Sequence, residues 1–217
     1  MRIISRVGGE ENGIMIRVGG VVLCGGQSSR MGRPKAWLPF GKELMLPRVV
    51  RLLGEAVTPI VVVAAPDQAV PPLPSNIEIA RDARPDRGPL QGLVAGLEAL
   101  RGWADAVYVS SCDVPFLQPA FIRCLIELLG ACSICVPEVG GYRHPLAAVY
   151  RIEIAAIAAR LLAEDRLRSS SLFEETATRF VQPEELTDVD PTFQSLRNLN
   201  TPADYEAALR ESFHVEG

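Results

Sequence analysis

The sequence predicts an α/β fold of three layers (αβα), with a mostly parallel sheet covered by helices on both faces. Three observations predict it. Short apolar runs rich in β-branched residues recur at Val18 to Leu23, Ile60 to Ala65 and Ala106 to Ser110. Stretches of ten or so residues with helical spacing separate them, and glycine or proline stands at most of the junctions. Strands alternating with helices require crossover connections, which give parallel pairing and place helices on both faces.

The elements follow in order. Val18 to Leu23 reads as a buried strand opening into Gly25-Gly26, and Met45 to Val57 has helical spacing. Pro59 precedes IVVVAA, the clearest buried strand because of its β-branched run. Pro66 to Asn76 is loop by its proline content, and Ile77 to Ala80 is a short strand before the polar stretch RDARPDRG. Pro89 suits a first helical turn, and that helix continues until Gly102. Ala106 to Ser110 is a strand running into Ser111-Cys112-Asp113, and Pro119 opens a helix closed by Gly130. Strand signals recur at Cys132 to Val136 and at Leu146 to Tyr150. Helices follow at Ile152 to Ala163 and from Pro202 to about Phe213. With 217 residues the chain suits one domain, read as residues 15–217, with 1–14 as a flexible leader ahead of the first strand.

Composition narrows the function classes. A hydrophobic fraction of 48% supports a sizeable core. No apolar run approaches the roughly 18 residues that span a bilayer. The first twenty residues contain Glu10 and Glu11 and lack the apolar centre of a secretory signal, so a cytoplasmic location without membrane contact is expected. Five cysteines form no disulfide framework. Cys132 and Cys135 stand on a run that reads as a strand, where residues three apart face opposite ways, and no second close pair exists to complete a zinc site. Buried thiols in a reducing compartment are expected. A net charge of -4 gives no reason to expect nucleic acid as a partner. Two local basic groups, one at Arg30, Arg33, Lys35, Lys42, Arg48 and Arg51 and one at Arg81, Arg84 and Arg87, suit a small polyanion. Taken singly, each also reads as an ordinary solvated cation.

In parallel sheets ligands bind beyond the carboxyl ends of the strands. The loop after the first strand and Asp113 therefore fall at one edge. In LCGGQSSRMGRPK, Leu23 to Lys35, Gly25 and Gly26 allow a sharp turn that brings backbone N–H groups against phosphate oxygens. Ser28 and Ser29 add hydroxyl donors, Arg30 a planar cation and Lys35 a point charge, while Gly32 and Pro34 shape the return. Neither G-x-x-x-x-G-K-[ST] nor G-x-G-x-x-G is present, which disfavours a dinucleotide-dependent oxidoreductase. Asp113 suits magnesium, which at phosphate sites takes one or two carboxylates plus phosphate oxygens and water; the alternative is a cap on the following turn. His144 reads as a substrate contact or as a structural hydrogen-bonding group. Arg166 and Arg168 read as solvated or as meeting an acceptor phosphate.

The loop, with Leu38-Pro39 after it, resembles the signature of nucleotidyltransferases that pass an NMP group to a phosphate or phosphosugar. Three more segments, RDARPDRGPLQG (Arg81 to Gly92), CDVP (Cys112 to Pro115) and NLNTPADY (Asn198 to Tyr205), resemble the molybdenum cofactor guanylyltransferase family, and the likeness spans roughly Val18 to Leu209. This resemblance implies a Rossmann-like sheet of the nucleotidyltransferase type. It also implies transfer of GMP from GTP to the terminal phosphate of molybdopterin, with pyrophosphate released and Mg2+ as cofactor. By resemblance Leu23, Cys24 and Gly25 meet the nucleotide through their backbone, and Gly26, Ser28, Asp82 and Gly88 also lie against GTP. Lys35 and Arg30 offset phosphate charge, Asp113 holds the metal, and Asn198 and Asn200 approach the pterin. Asp82, flanked by Arg81 and Arg84, also reads as a surface ion pair. Some relatives place a nucleotide-binding asparagine after the second strand, where this chain has Ala64. Transient contact with proteins that deliver the product to molybdoenzymes is a further implication. Two other readings stand beside it: a CTP-dependent enzyme acting on molybdopterin or on a sugar or alcohol phosphate, and a nucleotide-binding regulator without catalysis. Oligomeric state is not legible.

Overall fold

The computed structural model describes residues 4–7, 14–25, 33–82 and 87–215. Strand β1 (Ile4–Val7) is followed by β2 (Ile14–Leu23), a small hairpin of β3 (Pro39–Phe40) and β4 (Glu43–Leu44), and helix α1 (Met45–Gly54). Then come β5 (Ile60–Ala64), β6 (Glu78–Arg81), α2 (Gly88–Ala99), β7 (Ala106–Ser111) and α3 (Pro119–Leu128). The rest is β8 (Ile134–Val139), β9 (Tyr142–Arg143), β10 (Ala147–Arg151), α4 (Ala155–Ala163), α5 (Ser170–Glu175), β11 (Thr178–Val181) and α6 (Pro202–Val215).

The central sheet runs β11-β8-β10-β7-β2-β5-β6, with β1 beside β2 and β9 beside β8. The pairs β7–β2, β2–β5, β5–β6 and β8–β11 are parallel, whereas β10 is antiparallel to both β7 and β8. The sheet is thus mixed, and its parallel part carries the glycine-rich loop and Asp113. Every residue of β5 is buried, and alternate residues turn to opposite faces. Val62 and Ala64 join a core with Leu46, Val49 and Leu53 of α1 and with Phe121 and Leu125 of α3. Val61 and Val63 join another with Leu93 and Leu97 of α2 and with Ala158 and Leu161 of α4. Two cores flanking one sheet are the three layers expected.

Four differences from the sequence reading have physical reasons. The stretch read as a flexible leader contributes β1, because Ile4 to Val7 pair antiparallel with Ile14 to Arg17 and extend the first strand backwards beyond Val18. Cys132 precedes its strand, so only Cys135 is on the sheet; Cys24, Cys112 and Cys135 are buried, while Cys124 and Cys132 are half-buried. The hairpin β3–β4 and the strand β11 are too short or too mixed in character to show a period. Ile152 to Ile154 form a separate short 3-10 turn ahead of α4. Among the described residues no helix is long and apolar enough to cross a membrane.

A third, smaller core fixes the end of the chain. Leu38, Phe40 and Met45 pack with Leu199 and Ala208, and Tyr205, Leu209 and Phe116 close around them. Helix α6 is thereby docked on the hairpin that follows Lys35. Its start is fastened by a reciprocal cap: the Asp204 carboxylate accepts from the N–H of Thr201 at 2.8 Å, and the Thr201 hydroxyl accepts from the Asp204 N–H at 3.1 Å. Asn198 and Asn200, distant in sequence, are delivered to the sheet edge by this docking.

Helix α2 lies unusually close to β2. A Cβ at Gly96 would stand 2.5 Å from Val21 Cγ1, nearer than carbon atoms tolerate. Gly96→Ala is expected to destabilise the fold by about 1–3 kcal/mol through overpacking, outweighing the roughly 0.5–1 kcal/mol that alanine adds to a helix. A lowered thermal unfolding midpoint checks it; an unchanged or raised midpoint refutes the close approach.

Candidate active site

The site begins with register. β2 and β7 run parallel with Leu23 opposite Ser111, so Cys24 and Cys112 lie side by side as the two strands end. The Cys112 N–H donates to the Leu23 carbonyl at 3.1 Å, and the Cys24 N–H donates to the Val63 carbonyl at 2.8 Å. The neighbouring Cys24 thiol, and then burial, push the Cys112 thiol's pKa up, while Cys112 and Gln68 draw that of Cys24 down. Both chains then leave the sheet, one into Gly25 and the other into Asp113.

Asp113 is 7% exposed and held on three sides. The Ser111 hydroxyl donates to its Oδ1 at 2.6 Å, and the Asn198 amide donates to the same oxygen at 2.7 Å. The same amide lies 2.9 Å from the Ser111 hydroxyl oxygen. The Asp113 carbonyl accepts from the Leu199 N–H at 3.0 Å, tying the C-terminal segment to the strand end. Lys35 Nζ donates to Oδ2 at 2.6 Å and to Asn200 Oδ1 at 2.9 Å. Lys35 stands at the start of a short 3-10 turn, Lys35–Trp37, whose Ala36 is buried and whose Trp37 indole donates to the Ala69 carbonyl at 3.1 Å. The cation therefore projects from an anchored turn.

Lys35, Asp113, Asn198 and Asn200 thus form one cluster. Asn198 bears directly on the carboxylate and Asn200 on the ammonium. Gly26, Ser28, Ser29, Arg30, Gly32 and Arg84 lie outside the described residues. Gly25 is exposed and opens the loop. The Cys24 N–H, expected on the nucleotide, is committed to β5, and the Leu23 carbonyl to Cys112, so backbone donation from this stretch to a ligand begins at Gly25. Leu23 itself packs its side chain into the core.

Asp82 follows β6 with its N–H on the Ala64 carbonyl at 2.9 Å. It lies at the same sheet edge as Asp113, three strands away, about 14 Å at the usual strand spacing. Gly88 opens α2 with φ +73, a conformation that favours glycine. Ala64 has its methyl wholly buried in the core, so it does not stand where a ligand-binding amide would. The amide of that loop belongs to Gln68. Its Nε2 donates to the Cys24 carbonyl at 2.7 Å, its Oε1 accepts from the Ala65 N–H at 3.2 Å, and Arg81 donates to the Gln68 carbonyl at 2.7 Å. Gln68 is a lone amide in PDQAVPP just past the strand end, with no pattern around it that marks a role.

Several arginines read as ligand-facing have protein partners. Arg51 is paired with Glu43 and Glu55, Arg48 donates to the Pro115 carbonyl at 2.8 Å, and Arg87 donates to the Leu162 carbonyl at 2.6 Å and to Asp165 at 2.9 Å. Arg166 is paired with Glu174 and Glu175.

His144 follows β9 with its backbone N–H on the Pro137 carbonyl at 3.0 Å, and its Nε2 is buried with no protein partner among the described residues. Burial lowers its pKa from the ordinary 6.5, and a hydrogen bond with Val139 opposes this. The folded protein therefore binds fewer protons here than the unfolded chain once the pH falls below about 6.5. The stability from this group is complete above that pH and is lost as the pH falls through it. The loss of thermal stability from pH 8 to pH 5.5 is expected to be smaller in His144→Asn; an equal loss would refute it.

A cation and a carboxylate beside a glycine-rich loop at the carboxyl ends of parallel strands can hold a polyphosphate and neutralise charge on it. Residues 20–178 match the family model described as the MobA-like NTP transferase domain. The chain belongs to the MobA-like NTP transferase family. Among curated members, one from Carboxydothermus hydrogenoformans named a probable molybdenum cofactor guanylyltransferase is 30% identical, with 87% of this chain and 93% of that protein covered. One of the same name from Mycobacterium ulcerans is 33% identical, with 90% and 94% covered. The crystal structure of molybdopterin-guanine dinucleotide biosynthesis protein A from Archaeoglobus fulgidus superposes with a TM-score of 0.75 at 22% identity, covering 90% of this chain and 99% of that one. That structural likeness establishes the fold of this MobA-like transferase: a mixed, largely parallel sheet between two helical layers.

Proposed function

We propose that this nucleotidyltransferase moves GMP from GTP to the terminal phosphate of molybdopterin, forming the guanine dinucleotide form of the molybdenum cofactor and releasing pyrophosphate. The observation that carries the mechanism is the Lys35–Asp113 pair at the mouth of the glycine-rich loop, clasped by Asn198 and Asn200. Near-full-length similarity to proteins named for that reaction supports the choice of donor and acceptor.

The residues fit a divalent metal, with Mg2+ the ion we assign. Asp113 presents one oriented carboxylate, and the described residues contain no cluster of three or more His, Cys, Asp or Glu that would form an all-protein cage. One carboxylate completed by phosphate oxygens and water is the usual magnesium arrangement at phosphate sites. When bound there, the ion supplies charge neutralisation on the reacting phosphates.

The chain's own residues do the rest. Loop N–H groups from Gly25 onward receive the triphosphate, and the Lys35 ammonium donates to phosphate oxygens. Ser111 and Asn198 fix the rotation of the Asp113 carboxylate, and Gln68 holds the Cys24 carbonyl just ahead of the loop. The nucleoside extends over β5 and β6 toward Asp82. The acceptor phosphate enters beside Asn198 and Asn200 and attacks the α-phosphorus in line, opposite the departing pyrophosphate. Two bound phosphates react directly once aligned, so no covalent enzyme intermediate is required.

Incubation with molybdopterin and GTP radiolabelled at the α-phosphate tests the reading. Label is expected in the pterin product, while γ-label leaves in pyrophosphate. Nucleotide binding with no label on the pterin would leave a regulator, not an enzyme.

A further inference from the structure

In the free protein, the Asp113 carboxylate already has a cation. Its Oδ1 takes the Ser111 hydroxyl and the Asn198 amide, and its Oδ2 takes Lys35 Nζ at 2.6 Å. Lys35 is steadied there by Asn200 Oδ1 at 2.9 Å. Side-chain exposures of 19% for Lys35 and 9% for Asp113 show that the pair is largely withdrawn from water, where a charge-assisted hydrogen bond is strong. The carboxylate's rotation is fixed by two donors, so it cannot turn another oxygen outward without breaking them. Lys35 takes one lone pair of Oδ2, and a divalent ion on the other would set two cations against one oxygen, so the two compete for it.

We propose that Lys35 is a placeholder cation on Asp113, displaced only when a triphosphate offers the ammonium better partners, so that metal binding depends on nucleotide binding. This rests on the assignment of Asp113 as the metal ligand made above. The exchange keeps the carboxylate neutralised throughout: the ammonium leaves for phosphate oxygens as the metal arrives on the same nucleotide. Each ligand then raises the affinity for the other, because the coupling is reciprocal. It also keeps free metal from occupying a site without its nucleotide.

The test is Mn2+ affinity of the whole chain without nucleotide, read by calorimetry and by the electron paramagnetic resonance of free Mn2+. Wild type is expected to bind weakly and to tighten when a non-hydrolysable GTP analogue is present. Lys35→Met is expected to bind Mn2+ about tenfold or more tightly without nucleotide, the scale of one charge-assisted hydrogen bond. Lys35→Arg, which keeps the charge, is expected to bind weakly like wild type. Lys42→Gln, which removes an exposed charge in the β3–β4 turn, is expected to change little. Unchanged or weaker Mn2+ binding by a folded Lys35→Met, or an equal rise in Lys42→Gln, would overturn the placeholder. Asp113→Asn separates the two claims. If it leaves nucleotide-dependent Mn2+ binding intact, the ligand assignment itself fails; if it abolishes that binding while Lys35→Met shows no rise, only the placeholder fails.

Discussion

Lys35→Ala is expected to lower turnover at saturating GTP by roughly a hundredfold or more, about 3–4 kcal/mol of barrier, the scale found when one preorganised donor is removed from a developing negative charge. The size follows from position. Lys35 Nζ projects from an anchored turn and reaches both Asp113 and Asn200, so it is preorganised rather than recruited from solvent. Alanine also leaves Asp113 with its Ser111 and Asn198 donors but without a neutralising cation, which costs stability as well as rate. Steady-state pyrophosphate release, with the thermal midpoint measured alongside, separates the two effects. Near-normal turnover in a folded variant would remove Lys35 from the mechanism.

Asp113→Asn is expected to reduce turnover by about two to three orders of magnitude with the fold retained. The substitution keeps the shape and removes the charge. The amide cannot suit all of its neighbours. With its NH2 toward Lys35, two donors face each other; with its NH2 toward Oδ1's former partners, it meets the Asn198 amide, another donor. The backbone bond from the Leu199 N–H to the Asp113 carbonyl survives in either case and keeps the C-terminal segment docked. Raising the metal concentration is expected to leave the deficit in place, because an amide is a poor ligand for a hard dication. Full recovery at high Mg2+ would mean that Asp113 is not the ligand that matters.

Much of this was legible in the sequence because period and punctuation carry it. IVVVA reads as a buried strand from its β-branched run, and every residue of it is buried in the fold. Pro89 and Pro119 marked two helix starts where the structure has them. The glycine-rich loop and Asp113 were readable as neighbours because the parallel-sheet rule brings strand ends to one edge, but the direct Lys35–Asp113 pair had no signal in the sequence. Other features had no local signal. Nothing in Ala147 to Arg151 distinguishes an antiparallel strand from a parallel one, since both faces are buried either way. Gln68 was invisible because a lone amide in a proline-rich loop has no period. Asn198 reaches the carboxylate and Asn200 the Lys35 ammonium only because Leu199, Ala208 and the β3–β4 hairpin form a separate small core, a long-range packing event. The basic clusters misled for a related reason: Arg48, Arg51 and Arg87 carry charge that sequence counts as available, while the fold has already paired it.

The central claim is guanylyl transfer at this edge, and donor specificity tests it most directly. The protein is incubated with molybdopterin, Mg2+ and each common nucleoside triphosphate in turn, and pyrophosphate release is followed. Release with GTP, accompanied by the guanine dinucleotide product, is the predicted result. Release with CTP alone would contradict it.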